Sequence, residues 1–290
     1  MIVGLALALA SSMLSAAPFA YSVNSDAEVN ADRLYELDLA TGEVIEVGDS
    51  GFEDIEGLAF STSGQLFGVD DASDSVVRFD MTTGAASPIG SGLGNLGLSG
   101  VQDYGLTFIC DGEMFIASDN ERSLYRTNLQ SSQPTLVGSA GSLGVRITGL
   151  AAWGDDVYGI GSEGGEGIYR VDTDSGQTTQ VMGLPGYSFT DGGIAFDEKG
   201  ILWALLDKSF LPFRDEPSII LRIDLDALSV TQTATTLEGF ESLAIVANTG
   251  CEPQGPPPEA VPVPSVSSFG LLLMALGLIW LGFRRPTPSS

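Results

Sequence analysis

Tyr35-Glu36-Leu37-Asp38, Val77-Arg78-Phe79-Asp80, Tyr125-Arg126-Thr127-Asn128, Tyr169-Arg170-Val171-Asp172 and Leu221-Arg222-Ile223-Asp224 are five versions of one short element. Their starts lie 42, 48, 44 and 52 residues apart, and self-similarity at such a period marks a repeat architecture. Three of the five run into an Asp-to-Gly turn: Asp38 to Gly42, Asp80 to Gly84 and Asp172 to Gly176. The aspartate side chain accepts from N–H groups ahead of it, and glycine takes positive φ, so the segment reverses into a second strand. The turns after Asn128 and Asp224 lack the glycine and depart from the pattern.

Two further elements recur. Gly57-Leu58-Ala59-Phe60, Gly105-Leu106-Thr107-Phe108, Gly149-Leu150-Ala151-Ala152, Gly193-Ile194-Ala195-Phe196 and Ser242-Leu243-Ala244-Ile245 are short, largely apolar runs, as strands covered on both faces should be. Leu66 to Asp70, Met114 to Ser118, Val157 to Gly161 and Leu202 to Leu206 follow them. Each unit therefore has four strands, A to D, in about 45 residues, the grammar of a propeller blade. The chain opens with B, C and D strands only (Phe19 to Val23, Leu34 to Asp38, Val44 to Val47) and ends with a lone A strand, Ser242 to Val246. The two partial repeats complement one another. The expected fold is all-β, a five-bladed β-propeller whose composite first blade takes its A strand from the C-terminus, a closure that leaves no free sheet edge.

Composition narrows function. The formal net charge is −26, with 38 acidic and 12 basic residues. Such a surface repels nucleic-acid phosphate and anionic lipid. There is no histidine, which removes the Ser-His-Asp triad, the Cys-His pair and most zinc sites. The cysteines are Cys110 and Cys251. Both follow A strands and so share a face, and in an exported protein they are candidates for a disulfide tying the chain end to blade three. Such a bond needs their Cα atoms within about 7 Å.

The ends read as addresses. Residues 1–17 are apolar up to small residues at Ser15 and Ala17, as in a signal peptide cut after Ala17, although no Lys or Arg precedes the apolar run. Residues 18–250 form the propeller, and residues 251–268 a linker with Pro253, Pro256, Pro257, Pro258, Pro262 and Pro264. Residues 269–285 form a hydrophobic helix with a basic end, Arg284-Arg285. Val263-Pro264-Ser265-Val266-Ser267-Ser268-Phe269-Gly270 resembles the Ile-Pro-Thr-Leu-Ser-Glu-Trp-Gly pattern of IPTL-CTERM and PEP-CTERM sorting signals, with Val263, Pro264, Ser265, Val266, Phe269 and Gly270 carrying the likeness. Val263 stands where the Pro-Glu-Pro version has Glu, and Ser268 and Phe269 also depart. The N-terminal segment makes signal peptidase an expected partner, and the tail's resemblance implies an exosortase-type membrane protease. It also implies export to a bacterial cell envelope, with the helix either cut or retained as the membrane anchor. The body is similar to YncE- and NHL-like propellers through its Leu-Ala-Phe, Leu-Phe-Gly-Val and Asp-x-x-Thr-Gly elements. That similarity implies fold, not reaction.

Blade connectivity places the D–A and B–C loops on one face, which gathers over half of the acidic residues. Asp54, Glu56, Asp103, Asp191 and Glu241 enter innermost strands and should ring the channel mouth. Crowded carboxylates are costly unless a cation or raised pKa values relieve them. Calcium suits oxygen-only ligands, and the other expectation is a solvated acidic rim with no cofactor. Lys208 to Pro217 forms an enlarged B–C loop in which Phe210, Phe213 and Arg214 offer a contact surface. Trp153, Trp203, Tyr158 and Phe67 are expected in blade cores, and the repeated Arg78, Arg126, Arg170 and Arg222 in structural pairings. The expected function is a non-enzymatic surface module binding an unknown protein or glycan. The alternative is a calcium-dependent hydrolase or lactonase using the mouth carboxylates.

Overall fold

Asp- or Asn-led turns build the outer hairpin of every blade. Asp38 Oδ1 accepts from the N–H of Ala40 and Thr41 at 2.7 and 3.2 Å, and Asp172 Oδ1 from those of Asp174 and Ser175 at 3.1 and 2.7 Å. The two departing turns keep this device: Asn128 Oδ1 accepts from Gln130 N–H and Asp224 Oδ1 from Ala227 N–H. Where Gly42 and Gly176 supply φ of 76° and 71°, the fifth hairpin uses Leu228 at 48°, a costly choice for a residue with a side chain.

A computed structural model of the chain describes residues 17–251, apart from 91, 93, 95, 99–102, 131–132, 209–215 and 247–249. Among the described residues no helix is long and apolar enough to cross a membrane. The expected signal peptide (to residue 16), contact-loop residues Phe210, Phe213 and Arg214, sorting motif and hydrophobic helix lie outside the described residues.

The chain opens with β1 (Phe19–Val23), β2 (Arg33–Asp38) and β3 (Val44–Asp49). Blade two is β4 (Ile55–Phe60), β5 (Leu66–Asp70), β6 (Ser75–Phe79) and β7 (Ala86–Pro88). Blade three is β8 (Tyr104–Phe108), β9 (Met114–Ser118), β10 (Ser123–Thr127) and β11 (Thr135–Val137). Blade four is β12 (Ile147–Trp153), β13 (Asp156–Gly161), β14 (Gly167–Val171) and β15 (Thr178–Gly183). Blade five is β16 (Asp191–Phe196), β17 (Leu202–Asp207), β18 (Ile219–Asp224) and β19 (Ser229–Thr235), and β20 (Ala244–Ile245) follows. Five four-stranded antiparallel sheets result, and the first has the order β20-β1-β2-β3. The composite blade is therefore present, with Ala20 opposite Ile245 and Tyr21 opposite Ala244. The closing strand is shorter than the expected Ser242 to Val246. At its start side chains replace the ladder: Ser242 Oγ accepts from Val23 N–H, and Ser22 Oγ donates to Ser242 O.

Burial follows strand rank. Strands β5, β9 and β17 are buried throughout, while the outer β3, β15 and β19 contain no fully buried residue. Aromatic residues lock neighbouring blades at one repeated position: Tyr21 packs on Phe60, Phe67 on Phe108 and Tyr158 on Phe196, with ring centroids 5.8, 5.5 and 5.3 Å apart. Phe67 and Trp203 are core residues, and Trp153 and Tyr158 pack partly buried against the core of blades four and five. Two of the repeated arginines make the expected structural pairings. Arg126 meets Glu113 at 3.4 Å and lies over the Phe115 ring, and Arg170 pairs with Asp156.

The glycine of the Gly-Leu-Ala-Phe run has a steric cause. A Cβ on Gly149 would lie 2.3 Å from Gly192 O, and one on Gly193 2.4 Å from Leu243 N. The inner strands of adjacent blades touch backbone to backbone there, which requires glycine at four of the five runs, with Ser242 at the fifth. Gly149→Ala is expected to cost roughly 1–3 kcal/mol, the usual range for overpacking. Gly183→Ala, with nothing closer than 3.9 Å, should change little. Urea unfolding midpoints of the two variants check this, and equal midpoints would refute it.

Candidate functional site

At the mouth of the channel the repeat places carboxylates at two successive positions ahead of that glycine. Glu56 and Glu241 stand one residue before Gly57 and Ser242, and Asp103 and Asp191 stand two residues before Gly105 and Gly193. Blade four contributes none, having Ile147 and Thr148 instead. A bulge aims Glu56: the register of β4 on β5 jumps from Ile55 to Gly57. The extra residue leaves the ladder, as bulges that redirect a side chain do. The same jump in β12 frees Thr148, whose Oγ1 accepts from Gly192 N–H at 3.1 Å.

The expected mouth residues come together. Asp54, Glu56 and Glu241 each place a carboxylate oxygen within 4.8 Å of the others. Asp103 and Asp191 face one another as a carboxyl pair, both raised above the usual carboxylate range, first by burial. A second trio, Asp26, Asp191 and Glu241, meets the same distance limit. Glu56, Asp191 and Glu241 are only 6, 7 and 3% exposed. Asp26 belongs to the B–C loop of blade one and was not expected in the ring. That loop folds inward because Asp26 N–H donates to Gly239 O, and Gly239, at φ 71°, leaves Ala27 room to lie against it. Ser25 comes with it, donating to Ile55 O at 2.8 Å and bonding Glu241. A glycine one residue before Phe240 was the only hint in the sequence.

The electrostatics follow from burial among like charges. Glu56 and Glu241 are held well above the usual carboxylate range, first by burial. Glu241, Asp103, Asp54 and Asp191 then push Glu56 further up, and Asp26 and Asp191 push Glu241 up. Burial and the Asp191 charge raise Asp103 to about 10. Burial raises Asp191 to about 6 against the lowering effect of its hydrogen bond to Asp103. Outside the ring, Asp70 rises to about 6 through burial. Asp119 is buried but bonded by Arg146 at 2.8 Å, and Asp207 accepts from Ser218 Oγ and Gly239 N–H. These two carboxylates brace loops. Asp32 does likewise, accepting from Asp54 N–H at 2.8 Å, and both residues take left-handed φ, 63° and 74°. Among the described residues no ion pair with Lys or Arg reaches Glu56, Asp191 or Glu241.

Below the mouth the channel narrows. A cavity of about 10 Å³ lies among Glu56, Thr148 and the glycines Gly57, Gly149 and Gly193. At the opposite end a cavity of about 40 Å³ is lined mainly by apolar side chains, Leu150 and Phe196 among them. On that face Cys110 and Cys251 are bonded, with Cα atoms 5.4 Å apart. Gly250 lies against the indole of Trp153 on the way, and Asp155 Oδ1 accepts from Cys110 N–H at 3.2 Å. The enlarged B–C loop of blade five is described only at its ends, where Lys208 meets Glu216 at 3.3 Å.

No family model and no curated protein matches the sequence. Among solved structures, a chain of a nidogen–laminin complex is similar at 12% identity with a TM-score of 0.50, over 80% of this chain and 99% of that one. A gluconolactonase from Xanthomonas campestris is 16% identical with a TM-score of 0.45, over 78% and 79%. A virginiamycin B lyase from Staphylococcus aureus is 16% identical with a TM-score of 0.39, over 69% of this chain and 62% of the lyase. The chain thus spans less than two thirds of the lyase's length. These likenesses are of fold alone.

Proposed function

We propose that the protein is a non-enzymatic binding module of a bacterial cell envelope, exported and then sorted or held there through its tail. Its contact face is the acidic channel mouth, and its ligand is a surface protein or glycan. The observation that supports this best is the shape of the channel beneath the carboxylates. Its cavity of about 10 Å³ is about what one water needs, whereas pockets that enclose an organic substrate run to hundreds of Å³. Contacts therefore belong to the rim. The absence of histidine also leaves no ordinary base for a hydroxyl nucleophile.

One observation favours a second reading, a calcium-dependent hydrolase or lactonase. Asp103 and Asp191 are a carboxyl pair, both raised by burial above the usual carboxylate range, and paired carboxyls with displaced pKa values are suited to acid–base work. An assay of the full chain against chromogenic esters, lactones and glycosides, with and without calcium, separates the two. The binding reading expects the same background from the parent and from Asp191→Asn. Turnover that disappears in Asp191→Asn would overturn it.

A further inference from the structure

The mouth carries two carboxylate trios that share Glu241: Asp26, Asp191 and Glu241, and Asp54, Glu56 and Glu241. Carboxylates alone are a common surface feature. Here a second fact distinguishes them: Asp191 Oδ1 is fully buried and has no hydrogen-bond partner, in a residue only 7% exposed. Leaving such an acceptor unsatisfied costs on the order of 1–3 kcal/mol, more when it is charged. The charged neighbours that raise Glu56 and Glu241 are carboxylates, and among the described residues no ion pair with Lys or Arg relieves the crowding.

We infer that a calcium ion binds at the channel mouth between Asp26, Asp191 and Glu241, beside the second trio that Asp54 and Glu56 form with the same Glu241. Calcium takes six to eight oxygens at about 2.3–2.6 Å in irregular geometry. Ligand oxygens around such an ion lie roughly 3–5 Å from one another, and the trios hold theirs within 4.8 Å. The oxygens come from a loop, a D–A connection and strand starts in three different blades, an arrangement that suits a tolerant ion better than octahedral magnesium. The inference names a ligand for the face assigned above and rests on that assignment. A rim carrying bound calcium can bridge to a glycan or to an acidic partner that the bare rim would repel.

The test is calorimetric titration of the chelator-treated full chain with calcium chloride, together with thermal melting. Two variants accompany it, Asp26→Asn on the half-buried loop and Glu241→Gln at the shared position, with Asp49→Asn as the control on the same face. Expected are about one calcium per chain, a melting temperature that rises with calcium concentration, and loss of both in the two site variants but not in the control. Glu241→Gln should also melt at or above the parent without metal, because the amide has no charge to develop among the neighbouring carboxylates, and a purely structural glutamate would not behave so. No heat and no shift, or site variants that bind like the parent, would overturn the inference, as would an equal or larger shift with magnesium. If Glu241→Gln misfolds, Asp26→Asn alone carries the test. Failure to bind calcium with no turnover rejects this site and leaves the module reading standing. Binding accompanied by hydrolysis does the reverse.

Discussion

Without metal, the protein is expected to melt at progressively lower temperature as pH rises from about 5 to about 8. The cause is the set of carboxyls held high by burial: Glu56 and Glu241 well above their usual range, Asp103 to about 10, and Asp191 and Asp70 to about 6. In the unfolded chain these groups ionise near pH 4. In the folded chain they keep their protons to higher pH. Between the two the folded state binds more protons than the unfolded, so stability declines with each increment of pH. The net charge of −26 adds self-repulsion in the same direction. Asp172 works the other way: its carboxyl is held below the usual range, chiefly by Ser175 N–H, so its contribution is lost only at strongly acid pH. A decline of several kcal/mol corresponds to roughly 10 °C in a domain of this size. Glu56→Gln should isolate one part of it. The amide keeps the shape and has no proton to release on unfolding, so the variant should gain on the parent at pH 8 and match it near pH 5. Calorimetric melts across that range decide the matter, and a melting temperature that climbs with pH would refute it.

The second large effect concerns the cysteines. Replacing both Cys110 and Cys251 by serine should cost about 2–5 kcal/mol. The bond closes a loop with a sequence separation of 141 residues, and loop-closure entropy grows with that length to about 5 kcal/mol in the chain-entropy picture. The serine variant should also exchange amide hydrogens faster at Tyr21 and Ala244, since β20 pairs with β1 at only two positions and would lose its covalent brace. Urea midpoints and exchange rates measure both effects. A double serine variant as stable as the parent would show that the ladder closes the ring unaided.

The propeller was legible because its evidence is periodic: five Asp- or Asn-led hairpins, and partial repeats at the two ends that fit together. Burial of Phe67 and Trp203 followed from their place in the repeat. The mouth carboxylates were legible for the same reason, standing at fixed offsets before a repeated glycine. Asp26 was not, because its place depends on a loop of blade one lying against Gly239, more than two hundred residues away along the chain. The bulge that aims Glu56 was hidden as well. A strand with one extra residue looks like any other apolar run until its partner's register is known. The short β20 has a comparable origin, since the serines at 22 and 242 do with side chains what the ladder would have done with backbone.

The position of the disulfide has a mechanical meaning. Any pull on the chain beyond Cys251 passes into Cys110, in the turn between β8 and β9, before it can reach β20. Without that bond the load would act on the two-residue pairing of Ala244 and Ile245, which would peel open one rung at a time. With it, tension enters a complete blade, where β8 and β9 are paired along five positions. The weakest seam of the ring is thus taken out of the line of force, and the disc can be tugged by its tail without being unzipped.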